Sequence, residues 1–187
     1  MLTPAQKRTL LSIARRSIES SVEGEPLKQV TVEDPDLARR GGAFVTLTRE
    51  GKLRGCIGYS EPLYPLHDAV ARCAVSAATQ DCRFSRITQD ELSELKISIS
   101  VLSTLEKLKN VDNLEPGRHG LMIVGKDHRG LLLPQVAAER GWDGTTFLAE
   151  TCRKAGLPAD AWKGQDIEIF VFEAEVFSEK EPSSLGS

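Results

Sequence analysis

The strongest constraint on the fold is a change of hydrophobic period that recurs along the chain. Ala43 to Thr48 and Leu53 to Ile57 are β-compatible runs on either side of Arg49-Glu50-Gly51-Lys52. Leu121 to Val124 and Gly130 to Leu133 flank Gly125-Lys126-Asp127-His128-Arg129 in the same way. Two such runs joined by a short glycine-containing connection predict a β-hairpin. Around these hairpins the period lengthens to that of a helix. Leu66 to Thr79 puts Leu66, Ala69, Val70, Cys73, Ala74, Ala77 and Ala78 on one apolar face, with side chains small enough for close packing on a sheet. Pro4 to about Glu19 gathers Leu10, Leu11, Ala14 and Ile18 into a stripe and leaves Lys7, Arg8 and Arg15 for solvent.

The rest of the chain follows the same logic. Val22 to Gly42, broken by Pro26, Pro35 and Gly41-Gly42, reads as an extended connection. Thr88 followed by Glu91 is a capping-box pattern, which predicts a short helix over 88–95 before a strand from Lys96 to Leu102. Asn110 to His119 reads as a loop, Pro134 as a helix start, Asp143 to Ala155 as a helix stopped by Gly156 and Pro158, and Ile167 to Phe177 as one long strand. Hairpins interspersed with helices, without a βαβ repeat, predict a compact α+β fold with a mixed sheet. Residues 1–177 are expected to form one domain. The polar end 178–187 has nothing to bury and is expected to be a disordered tail.

Composition excludes several functions. The 187 residues are 40% hydrophobic, enough for a core that needs neither disulfides nor a structural metal. Against 24 Lys+Arg stand 27 Asp+Glu, a net charge of -3, which argues against a broad nucleic-acid footprint. No apolar run approaches the roughly 20 residues of a membrane helix, and the opening segment has no signal-peptide pattern, so the expected compartment is the cytoplasm. Cys56, Cys73, Cys82 and Cys152 contain no C-x-x-C pair and read as free thiols. No metal-binding spacing and no phosphate-binding glycine loop is present, and no cofactor is predicted.

Among the thiols, Cys56 stands out. Gly55 and Gly58 beside it would let a backbone or a ligand approach closely, and Arg54 could stabilise a thiolate. The same position also suits a small buried hydrophobe. Cys73 and Cys152 lie on apolar helix faces and read as core, whereas Cys82 lies in a polar turn. A nucleophilic cysteine needs a base, and His67, His119 and His128 are on offer without a pattern that identifies the partner; His119, between glycines in Gly117-Arg118-His119-Gly120, could be precisely positioned, against a favoured reading in which it only braces its loop. Asp81-Cys82-Arg83-Phe84 follows the clearest helix. Its acid–base pair reads first as a clamp on a turn anchored by Phe84 and second as a ligand contact, with Tyr59 and Glu61 lining the same surface.

Leu53-Arg54-Gly55-Cys56-Ile57-Gly58 reproduces the LRGCIG hallmark of the AMMECR-type domain family, also called AmmeMemoRadiSam system protein A. The chain also resembles that family at Asp81-x-Arg83-Phe84, Ser98-Ile99-Ser100-Val101-Leu102, Gly117-x-His119-Gly120 and Leu132-Leu133-Pro134-Gln135-Val136-Ala137. Gly141-Trp142-Asp143 and the stretch from Phe147 to Leu157 extend the likeness, while Ser85-Arg86 departs from it where proline is expected. The resemblance implies two unequal lobes with the LRGCIG segment near a groove between them. It also implies a setting shared with a Memo-type protein and a radical S-adenosylmethionine protein, but no reaction. The leading expectation is an accessory or binding component that uses Arg54, Gly55, Cys56, Gly58, Asp81, Arg83 and His119 to hold a small molecule or a partner segment. The alternative is a transferase or hydrolase in which Cys56 attacks an electrophile; nucleic-acid binding ranks third.

Overall fold

The computed structural model describes residues 1–179. In chain order its elements are α1 (Pro4–Val22), α2 (Pro35–Ala38), β1 (Ala43–Arg49), β2 (Lys52–Tyr59), α3 (Leu66–Thr79) and β3 (Leu95–Leu102). There follow β4 (Glu106–Lys107), β5 (Gly120–Val124), β6 (Arg129–Leu132), α4 (Pro134–Arg140), α5 (Gly144–Lys154), β7 (Glu168–Phe172) and β8 (Ala174–Ser178). The mixed α+β class predicted from the pattern of periods is the one observed. The described chain divides into two compact units, one of Met1–Val101 plus the described residues from Glu175 on, the other of Leu102–Ala174. Among the described residues no helix is long and apolar enough to cross a membrane.

In the first unit the sheet order is β2-β1-β3-β8. The β1–β2 turn has Glu50 and Gly51 at φ 51° and 75°, the two left-handed residues that match a tight hairpin to the twist of its strands. On one sheet face Ala43, Val45 and Leu47 of β1 pair with Val101, Ile99 and Ile97 of β3, and this apolar row joins Leu10 and Ile18 of α1 and Val70 and Ala74 of α3 in one core. Thr3 caps α1 through a reciprocal capping box with Gln6, and Pro4 fills the first turn, where its missing N–H costs nothing. The α1 stripe is rotated from the expected one: Ile13, Ser17 and Gln6 are buried, and Leu11 is only half-buried. Arg15 does not face solvent. Its guanidinium donates to the carbonyls of Leu92 (2.8 Å) and Leu95 (2.7 Å) and pairs with Glu179 at 2.6 Å.

In the second unit the sheet order is β4-β7-β5-β6, with Leu121 and Ile123 of β5 packed against Phe147, Leu148 and Cys152 of α5. The predicted hairpin at 121–133 is therefore present, paired from Leu121↔Leu132 to Val124↔Arg129. The single strand expected over 167–177 is instead two strands in different sheets, β7 and β8. At the break, Glu173 donates its N–H to the Ser103 hydroxyl and accepts the Ser103 N–H, so an edge contact replaces the ladder. The capping box at Thr88 and Glu91 is present, but it opens one 3₁₀ turn, Gln89–Glu91, rather than a longer helix. Two residues of the expected tail are structured: Ser178 ends β8, and the Glu179 carboxylate accepts the Ile97 N–H at 3.1 Å. The remainder, 180–187, lies outside the described residues.

Candidate functional site

The site is built on β2 at the free edge of the first unit's sheet, and a single irregularity determines what it presents. A two-residue turn at Glu50-Gly51 would, if the ladder ran on regularly, place Cys56 opposite Val45 on the core face. The pairing instead steps from Thr48↔Leu53 to Leu47↔Gly55, leaving Arg54 as the extra residue of a bulge. Beyond it every β2 residue is shifted by one, which exchanges the faces. Gly55, Ile57 and Tyr59 now lie over the helices, and Cys56 pairs with Thr46, which in turn pairs with Ser98 of β3. The next row carries Gly58, Phe44 and Ser100. The face away from α3 thus carries thiol and hydroxyl side chains in register. The Cys56 thiol lies 3.2 Å from the Thr46 hydroxyl and is half-buried.

Both glycines of the motif are explained by packing. A Cβ on Gly55 would stand 2.2 Å from the carbonyl oxygen of Ala77, so the bare backbone lets the alanine-rich α3 lie directly on β2. A Cβ on Gly58 would stand 2.2 Å from the Phe44 ring and 2.6 Å from the Ala43 oxygen. What approaches each glycine is the protein itself.

Asp81 and Arg83 hold the peptide of Cys56. Asp81 follows α3, its side chain is 4% exposed, and its Oδ2 accepts the Cys56 N–H at 2.9 Å. Arg83 closes a fork on the same carboxylate, Nε to Oδ1 at 2.9 Å and Nη2 to Oδ2 at 2.7 Å, and Nη2 also donates to the Cys56 carbonyl at 3.3 Å. The pair therefore supplies to the outer edge of β2 the donor and acceptor that a neighbouring strand would have supplied. The Arg83 fork, helped by the Cys56 and Arg83 N–H groups and opposed by burial, holds the Asp81 carboxyl well below the usual carboxylate range. The Arg83 side chain remains half exposed, and among the described residues its Nη1 has no hydrogen-bond partner.

Arg54 serves a different purpose from the one its place beside Cys56 suggests. Its guanidinium takes both oxygens of Glu91 (2.8 and 3.0 Å) and the carbonyls of Ser85 (2.7 Å) and Arg86 (3.3 Å), tying the turn after α3 to the bulge. The Arg54 hydrogen bonds are the main cause that lowers the Glu91 carboxyl to about 2, with the Thr88 backbone assisting and burial opposing. Phe84 is only half-buried, with the Arg83 guanidinium 5.4 Å from its ring centroid; the core anchor of this turn is Ile87, whose N–H donates to Ala78 at 2.9 Å. Tyr59 lies on the helix face rather than beside the thiol. Cys82 is exposed, while burial pushes the Cys73 thiol up to about 12 and raises that of Cys152.

His119 belongs to the second unit. Its ring Nδ1 accepts the Glu115 N–H at 3.1 Å, and the His119 backbone N–H donates to the Glu115 carbonyl at 2.8 Å, so side chain and main chain together brace the loop. His67 and His128 are likewise bound to main-chain carbonyls, of Leu37 and Ala155. Among the described residues no group of three or more His, Cys, Asp and Glu side chains is placed to hold a metal ion. The residues that sequence reasoning missed are Thr46, Ser98 and Glu91. Strand alternation offered a signal for the first two; the partnership of Glu91 with Arg54 had none, because 37 positions separate them.

The AMMECR1 family model matches residues 11–177. Protein MK0488 of Methanopyrus kandleri is 43% identical over 192 residues, covering 97% of this chain and 92% of its own. A protein of Methanothermobacter thermautotrophicus is 42% identical over 186 residues, covering 95% and 96%. Among solved structures, the crystal structure of uncharacterized protein PH0010 from Pyrococcus horikoshii is similar with a TM-score of 0.87 at 39% identity, covering 92% of this chain and 91% of that one.

Proposed function

The chain belongs to the AMMECR1 family, and from that premise we propose that it is a binding component that works with Memo-type and radical S-adenosylmethionine proteins. In this reading the surface around Cys56 and Arg83 holds a small molecule or a partner segment bearing a carboxylate or carbonyl group. The observation that carries it is the Asp81–Arg83 clamp. The carboxylate and one side of the guanidinium hold the Cys56 peptide by its N–H and C=O, while Nη1 of the half-exposed Arg83 has no hydrogen-bond partner among the described residues. A guanidinium pre-oriented by a buried carboxylate is well suited to grip an oxygen ligand, since little side-chain entropy remains to be lost. The choice of partners rests on the setting that the family resemblance implies.

The alternative, a transferase or hydrolase with Cys56 as nucleophile, is favoured by the half-accessibility of the thiol but finds less support in its surroundings. The hydrogen-bond partner of the thiol is a threonine hydroxyl, and Arg54 is engaged by Glu91. A titration of the full chain with the purified Memo-type and radical proteins of its own organism separates the two. The binding reading expects a saturable complex that weakens by roughly tenfold in Arg83→Gln, the worth of one charge-assisted hydrogen bond, and survives in Cys56→Ala. Failure to form a complex with either protein would sink it, and loss of a measurable turnover in Cys56→Ala alone would install the enzyme reading instead.

A further inference from the structure

The first turn of α3 is left open. Leu66 donates its N–H to the Arg39 carbonyl at 2.8 Å, and the helical ladder begins with the Ala69 N–H on the Pro65 carbonyl at 2.8 Å. Pro65 has no side-chain acceptor with which to cap the helix, and among the described residues the N–H groups of His67 and Asp68 have no partner. Unpaired N–H groups at the start of a 14-residue helix attract an anion. His67 and Asp68 both line a cavity of about 310 Å³, at the small end of the range for ligand clefts, whose other wall is the chain around Lys28.

The side chains of this cavity add to the pull of the helix end. His67 is 9% exposed, and its Nδ1 lies 2.9 Å from the Leu37 carbonyl oxygen. A carbonyl oxygen only accepts, so Nδ1 carries a proton and the neutral ring has its lone pair at Nε2. Nε2 has no hydrogen-bond partner among the described residues and is not sealed from solvent. Arg72, one turn further on, is fixed in place: its Nε donates to the Asp68 carboxylate at 2.9 Å, and its guanidinium carbon lies 4.3 Å from the centroid of the Tyr64 ring. Among the described residues both of its Nη groups lack a hydrogen-bond partner. Lys28 brings a second cation, tethered to Glu25 at 2.6 Å. The lining thus sets two cations against one carboxylate, and that carboxylate, Asp68, is already engaged by Arg72. Leu27, Val30 and Pro65 supply apolar contact beside these polar groups.

We propose that this cavity binds a small phosphate monoester. The His67 and Asp68 N–H groups, Arg72 and Lys28 take the phosphate oxygens, Nε2 of His67 shares the phosphate's one remaining proton, and the apolar residues meet the ester carbons. Donors that come from the helix end, from Arg72 and from the opposite wall outnumber the two oxygens of a carboxylate and suit the three free oxygens of a phosphate ester. Imidazole and phosphate monoester also lose their protons in the same range of pH, so one proton serves both, whereas a carboxylate has none to share there. The site is independent of the Cys56 surface, and its failure would leave the binding role proposed there untouched.

The test is a titration of the full chain with propyl phosphate, followed by amide NMR and repeated with butyrate. The expected result is a saturable shift centred on the His67 and Asp68 amides and on residues 27–30, with butyrate weaker. Arg72→Gln is expected to weaken propyl phosphate by roughly tenfold, the worth of one charge-assisted hydrogen bond. His67→Asn keeps a donor for the Leu37 carbonyl and removes Nε2, and is expected to weaken binding by roughly three- to tenfold. Absence of saturation in the wild type, equal affinity for butyrate, or unchanged affinity in either variant would each overturn the proposal. If His67→Asn loses the wild-type circular dichroism spectrum, the wild-type and Arg72→Gln titrations decide alone, since Arg72 is part-exposed and not needed for the core.

Discussion

Replacing Asp81 by alanine should cost far more than replacing Arg83, although the two form one ion pair. The Asp81 carboxylate, 4% exposed, accepts the N–H groups of Cys56 and Arg83 at 2.9 and 3.2 Å in addition to the guanidinium fork. Hydrogen bonds to a charged group contribute about 1.5–3 kcal/mol each before non-additivity, whereas an ion pair with a half-exposed partner contributes about 1 kcal/mol or less. Water can reach part of the space vacated at a sheet edge, so Asp81→Ala is expected to destabilise by about 3 kcal/mol. Arg83→Ala is expected to cost about 1 kcal/mol, because water replaces an exposed cation and the backbone donors stay. Urea unfolding by circular dichroism at neutral pH gives the ranking, and amide exchange at Cys56 gives the local effect. That amide should exchange much faster in Asp81→Ala and only slightly faster in Arg83→Ala. The folded-state carboxyl is held below its unfolded value, so its stabilisation is complete above about pH 5 and declines as pH falls below about 4. Equal costs for the two variants, or an unchanged Cys56 exchange rate in Asp81→Ala, would refute the idea that the carboxylate acts chiefly on the β2 backbone.

Glu91→Gln should narrow acid resistance. With the Glu91 carboxyl lowered from 4.5 to about 2, its contribution, on the order of 3 kcal/mol at most, is present above pH 4.5 and lost by about pH 2, so wild-type and variant stabilities should converge on acidification. Gly55→Ala should destabilise by about 3 kcal/mol, since the new Cβ meets the backbone oxygen of Ala77 at 2.2 Å and α3 must retreat; thermal unfolding close to that of the wild type would contradict the packing role. Alkylation followed by mass spectrometry should modify Cys82 first and Cys56 second, with Cys73 and Cys152, both fully buried, labelled only on unfolding. Labelling of Cys73 in the folded protein would show that the core is looser than described.

The types of element were legible because they depend on local periodicity. The small apolar residues from Leu66 to Thr79 specify a helix with one packing face, and Glu50-Gly51 specifies a tight hairpin whatever surrounds them. The break between β7 and β8 was not legible, since Ile167 to Phe177 reads as one strand by propensity and is divided at Glu173 by a contact with Ser103, 70 positions away. Arg15 misled for the same reason. A charged residue on a helix reads as solvated, and its carbonyl partners at Leu92 and Leu95 come from another part of the chain.

Cys56 draws the line between the two levels most clearly. From the sequence alone came the strand, its flanking glycines, the family motif and the acid–base pair after α3. Tertiary structure decided which way the thiol points. A regular ladder from the Glu50-Gly51 turn would bury Cys56 opposite Val45, and only the bulge at Arg54 sets it beside Thr46. That bulge is supported by contacts distant in sequence, Arg54 with Glu91 and Ser85, and Gly55 beneath Ala77. Because side chains alternate with a period of two, one inserted residue exchanges the faces, and a choice of that kind is made by packing rather than by local propensity.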